Sequence, residues 1–346
     1  MDSPAQGGSF LKRNKILAVF CWVVVGFLMG LTIHSIFSEH GLSYGGKLVR
    51  ENNPNYKFTN PILECEFGPK EGQSRFSASW GHLEKEILDL KKNYNLSEAS
   101  VYFRDLNNGP WFGVNEDADF APASLLKVPI LIAHLAKADG EPNYLESTIK
   151  IDRDLVGDTL PPNILPSESA QIGKEYKIKE LLALMITQSD NVAANVLSRI
   201  ISVAEIENVF KYIGVPIKTV GEDANLSVRD YASFFRVLFN SSYLDRDNSE
   251  IALGLLSKTA FNNGLVAGVG GDVMVAHKFG ERKNPNDVYS PVQLHDCGIV
   301  YYPENPYLLC IMTRGKDVND LEKFIQEVSA LFYREMKAQF PIAPEE

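Results

Sequence analysis

The feature that most constrains the fold is a long helical block set between strand-like segments at both ends. Before the block, Ser100 to Leu106 and Pro110 to Val114 alternate apolar and polar residues around Asn107-Asn108-Gly109, which is a hairpin signal. After it, Val273 to His277, Val292 to Tyr301 and Tyr307 to Thr313 read as strands. Between them, Ile178 to Ile186, Asn191 to Ile200, Glu205 to Ile213 and Val228 to Phe239 carry apolar residues three and four apart. Helical spacing also precedes the hairpin, at Trp80, Leu83, Ile87, Leu88 and Leu90, and follows the last strand, from Leu321 to Phe340. Strands from the two ends of a domain can share a sheet if the stretch between them folds as an insertion. The expected domain spans residues 76–341, as an α/β lobe with a helical lobe inserted at about 122–256, and seams between such lobes commonly hold sites.

The N-terminus sets a second constraint. Ile16 to Ile33 is almost wholly apolar, broken only by Gly26, Gly30 and Thr32, and Lys12, Arg13 and Lys15 precede it. Such a run is long enough to cross a bilayer as a helix, and upstream cations stay on the cytoplasmic side. A cleaved signal peptide has a shorter apolar core and a small-x-small exit, whereas this run leaves through Thr32-Ile33-His34-Ser35-Ile36-Phe37. The expectation is a single-pass anchor in the cytoplasmic membrane: residues 1–15 cytoplasmic, 16–37 in the bilayer, 38–75 an extracytoplasmic linker and the folded domain outside. Within the linker, Tyr56 to Phe67 is apolar enough to dock on the domain. The formal net charge of −10 and the lack of a basic stripe weigh against nucleic-acid binding. Cys297 and Cys310 flank a hairpin around Pro303-Glu304-Asn305-Pro306, where they can serve as a disulfide or as small buried hydrophobes.

Chemistry enters at Ser124-Leu125-Leu126-Lys127, which opens the apolar run Val128 to Leu135. Residues three apart share a helix face, so the Lys127 amine can sit beside the Ser124 hydroxyl. A serine needs an adjacent base to become a nucleophile, and a helix start favours developing negative charge. Alone, this spacing is common. Two further segments come later in the chain: Ser189-Asp190-Asn191 at a helix start, and His277-Lys278-Phe279-Gly280 at a strand end turning at glycine. Other candidates are weaker. His134 falls on an apolar helix face and reads as core, and His82 and His295 have no metal-ligand spacing with the cysteines, so no metal and no cofactor are expected. Pro129 is expected to remove a backbone hydrogen bond just past the first turn of the Ser124 helix. Glu168, in Leu165-Pro166-Ser167-Glu168, is a candidate for the cleft rim.

The three segments, in this order and with Phe120-Ala121-Pro122-Ala123 before the serine, resemble the class A β-lactamases and related penicillin-recognising serine hydrolases, whose signature is S-x-x-K, S-D-N and K-T-G. The resemblance covers about residues 76–341. It implies a two-lobed β-lactamase/transpeptidase-like fold, with an antiparallel sheet flanked by terminal helices and an inserted all-helical lobe. It further implies Ser124 as nucleophile, Lys127 as its base, Ser189 as proton relay to the leaving nitrogen and Lys278 as the cation that draws a substrate carboxylate. Asn191, Gly280 and Glu281 are implied to line the substrate. Asn191 would bond its amide side chain, and the backbone N–H of Glu281, just after Gly280, would complete an oxyanion hole with that of Ser124. Asp190 is expected to hold the loop.

Two departures stand out. Phe279 occupies the place of a hydroxyl residue and cannot donate a hydrogen bond, so carboxylate recognition would rest on Lys278, Arg282 or another group. The loop after Ile213-Gly214 lacks the family's Glu-x-x-Leu-Asn motif and offers only Glu222 and Asp223 as acids. The implied activity is hydrolysis of a β-lactam or related amide by a monomer through an acyl-serine. A D,D-peptidase or transpeptidase on cell-wall peptides, and a wall-binding module with little catalysis, are the alternatives.

Overall fold

The computed structural model describes residues 48–50, 55–65, 73–107, 110–157, 164–216, 225–270, 273–283 and 290–341. The expected anchor at 16–37, Glu222 and Asp223 lie outside these residues. Among the described residues, no helix is long and apolar enough to cross a membrane. The chain divides into two compact units, residues 1–49 with 64–70, and residues 50–63 with 71–346. Two short strands, β1 (Leu48–Arg50) and β2 (Ile62–Cys65), fall at their boundaries. The second unit carries the main sheet and all the helices among the described residues.

A long helix, α1 (Gln73–Asn93), leads into β3 (Glu98–Asp105) and β4 (Trp111–Val114). The inserted segment begins with β5 (Asp119–Phe120), a 3-10 turn at Ala123–Leu126 and α2 (Lys127–Gly140). It continues through β6 (Thr148–Lys150), α3 (Arg153–Val156), β7 (Glu175–Lys177), α4 (Ile178–Thr187), α5 (Asn191–Ile200) and α6 (Val203–Ile213). After β8 (Leu226–Ser227) come α7 (Val228–Phe239), α8 (Arg246–Leu256) and α9 (Leu265–Val269). The chain then returns to the sheet as β9 (Val275–Arg282), β10 (Val292–Val300) and β11 (Tyr307–Gly315), and closes with α10 (Val318–Gln339).

The main sheet is antiparallel throughout, in the order β4-β3-β11-β10-β9, so strands from both ends of the domain do meet. Both faces are covered, which explains why β10 and β11 read as near-continuous apolar runs. On one face, Val101, Phe103, Leu309, Ile311, Val275 and Phe279 pack with α1, α9 and α10. On the other, Tyr102, Leu308, Cys310, Cys297 and Ile299 join the core of the helical lobe. Cys297 and Cys310 are directly opposed across β10 and β11, and both are buried, unbonded thiols. Each carries a raised pKa, chiefly from burial.

Sequence and structure part at two motif-bearing places. The strand expected to end near Gly280 runs on to Arg282, so Gly280 is mid-strand and not a turn. A Cβ there would stand 2.8 Å from the Pro122 carbonyl oxygen and 3.1 Å from the Leu125 nitrogen, so glycine lets β9 lie against the 3-10 turn. Pro129, expected to weaken a helix, is the third residue of α2, where its missing N–H costs little. The carbonyl four residues back, of Leu125, accepts instead from the buried Tyr231 hydroxyl at 3.0 Å.

The segment around Phe58 is docked on the domain. The Glu250 carboxylate accepts the backbone N–H groups of Lys57, Phe58 (2.7 Å) and Thr59 (2.9 Å). Tyr301 donates to the Phe58 carbonyl at 3.0 Å, and their rings meet edge to face. Removing the shared acceptor strands three amides. Glu250→Ala is expected to cost about 1–3 kcal/mol, read as a melting temperature several degrees lower, with faster proteolytic cutting near Phe58. An unchanged melting temperature and cutting rate would show that the dock contributes nothing.

Candidate active site

The nucleophile candidate sits where the inserted lobe leaves the sheet. Side chains of β10 grip the approach: His295 Nε2 lies 3.0 Å from the Ala121 carbonyl oxygen, and Gln293 Oε1 accepts the Ala121 N–H at 3.2 Å. His295 is fully buried with its pKa lowered to about 4, mainly by burial, so it is neutral at physiological pH. Ala123 then takes φ +49°, a left-handed conformation that costs a residue with a Cβ of order 1 kcal/mol. Ser124 comes next, in the 3-10 turn. It is half-buried, and its hydroxyl has no hydrogen bond among the described residues.

Lys127 begins α2 one turn later and is buried. Its ammonium donates to the Ser189 carbonyl (2.6 Å), to Ser189 Oγ (3.1 Å) and to Asn191 Oδ1 (2.8 Å). No hydrogen bond joins this ammonium to the Ser124 hydroxyl. A buried ammonium needs three acceptors, which Ser189 and Asn191 supply and one hydroxyl does not. On the other side, Lys278 Nζ donates to Ser189 Oγ at 2.9 Å and to the Phe279 carbonyl at 2.9 Å. Four of the expected residues, Lys127, Ser189, Asn191 and Lys278, are thus joined in one hydrogen-bonded cluster. Ser189 holds φ +54°, so local strain falls on a residue of the cluster itself.

Electrostatics make the cluster a proton path. Burial lowers the Lys127 pKa to about 7, against a smaller upward pull from Asp190 and Glu281. Burial, then the charge of Lys127, holds Lys278 well below the usual lysine range. Two adjacent buried ammoniums repel, so loss of one proton is favoured. When Lys127 is neutral, its lone pair can accept from a hydroxyl, and Ser189 Oγ links it to Lys278.

The remaining residues hold this arrangement. Asp190 caps α5 by accepting the N–H of Val192 and Ala193, and it also accepts from Ser169 Oγ (2.7 Å) and the Ala170 N–H (2.9 Å). The Glu281 side chain accepts the Ile164 N–H at 2.7 Å, so the residue expected for its backbone also fastens the loop at 164–170 with its carboxylate. Glu168 is exposed on that loop. His277 bonds Asp296 at 2.8 Å in the core on the terminal-helix side, and Asp296 accepts the Leu265 N–H at 2.9 Å, which is a structural role. His134 is buried between the Tyr144 hydroxyl and the Leu197 carbonyl. Among the described residues, no group of three or more His, Cys, Asp or Glu could hold a metal. The supports given by Tyr231, His295 and Gln188, whose Oε1 accepts from Ser167, carry no local sequence signal, because each acts across a long sequence separation or on backbone.

A half-buried serine at a 3-10 turn, two buried lysines and a second serine between them form an arrangement suited to serine acyl transfer, between a sheet edge and a helical lobe. Comparison with known proteins agrees. The model of the beta-lactamase enzyme family matches residues 82–336, and the chain belongs to that family of serine hydrolases. It is similar to the beta-lactamase VEB-1 of Pseudomonas aeruginosa, at 23% identity over 285 residues, covering 74% of this chain and 90% of that protein. Among solved structures it resembles PBP-A, a mutant of which was captured as an acyl-enzyme complex with penicillin-G (25% identity, TM-score 0.63, 75% of this chain and 97% of the other). The fold is shared with a beta-lactamase from Chitinophaga pinensis at 20% identity and TM-score 0.64, covering 73% and 98% of the two chains.

Proposed function

We propose that this protein is a membrane-anchored, extracytoplasmic and monomeric enzyme that acylates Ser124 with a β-lactam or related amide. The observation that carries the reading is the Lys127–Ser189–Lys278 cluster, with one buried amine near neutrality one turn from Ser124. Ser124 attacks the carbonyl carbon and passes its proton to neutral Lys127. Ser189 relays a proton to the leaving nitrogen, Asn191 orients the acyl side chain, and the N–H groups of Ser124 and Glu281 hold the oxyanion. The penicillin-G acyl-enzyme of PBP-A supports the same covalent step here. The anchor is supported by the apolar run Ile16–Ile33 behind Lys12, Arg13 and Lys15.

Transfer of the acyl group to an amine of a cell-wall peptide is the second reading. It is favoured by the Asp190 and Glu281 carboxylates, the acids that act on Lys127, being taken up by contacts with the loop at 164–170. Incubation of the full chain with a fluorescent penicillin tests both. A label on Ser124 that fades as ring-opened product accumulates supports the hydrolase, and a label that persists supports the transferase. No label on folded protein, with none on Ser124→Ala, would refute acylation by penicillins.

A further inference from the structure

Among the described residues, neither lysine of the cluster offers a substrate a free cation. An ammonium has three N–H donors. Lys278 donates to Ser189 Oγ and to the Phe279 carbonyl, and its Nζ lies over the Phe279 ring, 4.1 Å from the centroid. Lys278 is 0% exposed. Phe279 is held in turn: it is 4% exposed and stacked on the buried Phe261, with centroids 4.5 Å apart and planes at 27°. Both rings belong to the core beneath α9 and α10, so the seal cannot swing aside without opening that core. Lys127 has three acceptors of its own. Glu281, close enough to act on both lysines, adds negative charge to the same strand. Arg282 and Lys283 are exposed at the end of β9, where water and salt screen them.

We infer that the preferred substrate has an uncharged leaving group, as in an ester, thioester or interior amide with no carboxylate beside the scissile bond, that a penicillin, with a carboxylate beside its scissile nitrogen, acylates Ser124 more slowly than such a substrate, and that Phe279 sets this selectivity. The inference rests on the acyl-serine reading. Ser124 Oγ bonds to the carbonyl carbon, the bond to the leaving atom breaks, and the Ser124 proton ends on that atom by way of Lys127 and Ser189. Water or an amine then releases the acyl group and restores the Ser124 hydroxyl. A carboxylate brought beside Ser189 would lose its hydration and meet an aromatic ring, and among the groups of the cluster only the Ser189 O–H, a neutral donor whose oxygen already accepts from both lysines, is left to replace the water.

Two thioesters with the same N-acetylglycyl group test this, one releasing thioglycolate and the other the primary amide of thioglycolate. Thiol release is followed with the full chain in excess, so that acylation is read. The wild type is expected to react faster with the amide-bearing compound by about tenfold or more, the effect of one unpaired buried charge. Phe279→Thr supplies a hydroxyl donor and opens the seal, and should bring the ratio to about one or invert it. Phe279→Leu keeps an apolar side chain against Phe261 while uncovering the third N–H, and should lower the ratio part of the way even if the threonine variant folds poorly. A wild-type preference for the carboxylate, as expected if Arg282 bound it, would overturn the inference. So would a ratio unchanged in both variants. If neither thioester reacts faster with the wild type than with Ser124→Ala, the acyl-serine reading itself has failed, and the inference falls with it.

Discussion

Ser124→Ala should abolish covalent adduct formation with a penicillin or a thioester and leave the fold intact. The change removes one oxygen atom, and that oxygen has no hydrogen bond among the described residues, so little stability depends on it. The left-handed Ala123, the Ala121 grip from His295 and Gln293, and the Tyr231 bond to Leu125 all remain. The melting temperature is therefore expected to move by no more than about 2 °C, since surface or unbonded changes stay within about 0.5 kcal/mol. Activity should fall by at least about a thousandfold, as loss of a nucleophile removes the covalent route and leaves only binding and oxyanion stabilisation. Intact-mass measurement reads the first effect directly. An adduct of undiminished mass and rate in the variant would place the nucleophile elsewhere.

How far the sequence reveals this site depends on whether a residue acts locally. The helix limits for Asn191–Ile200 and Val228–Phe239 come from apolar spacing and from Asp190 and Ser227, whose side chains cap those helices. Ser124, Lys127, Ser189 and Lys278 are legible as motif residues, and the fold brings the last three into hydrogen-bond contact. The orientation of Lys127 is not legible. Helical spacing fixes which face a side chain leaves from, while a four-carbon chain then turns to whichever acceptors are buried nearby, here Ser189 and Asn191. Gly280 shows a different limit. Glycine after a short strand pattern reads as a turn, yet this one is required by backbone of another element at 2.8 Å, a cause that lies about 155 residues away in sequence. The Phe279 ring is likewise visible as a missing hydroxyl but not as a lid on Lys278, which depends on its stack with Phe261.

Lys127→Met should have the other large effect, and it should show in both rate and stability. In the unfolded chain this lysine keeps its proton up to about pH 10.5, and in the folded chain only up to about 7, because burial penalises the charged form. Between those values the unfolded state binds more protons, so stability rises with pH through the window and is lowest below pH 7, where the fold carries a buried ammonium. Across the whole window the change is on the order of several kcal/mol. Methionine fills similar space without a charge. It leaves the Ser189 carbonyl and Asn191 Oδ1 without their donor, a cost that does not vary with pH. The variant's stability should therefore be flatter than the wild type's between pH 6 and 9, whatever its absolute value. The charge of Lys127 helps hold the Lys278 pKa down, so the difference between the two curves reports the titration of Lys127 together with its effect on Lys278. In parallel, wild-type acylation should climb through about pH 7 as the amine becomes neutral. The variant should lose that limb and about 10²–10⁴ in rate, the usual worth of a positioned base. Chemical denaturation at several pH values and single-turnover acylation read the two effects on the same samples. Parallel stability curves for the two proteins would mean that Lys127 is not buried near neutrality. An intact rate limb in the variant would assign the base to another residue.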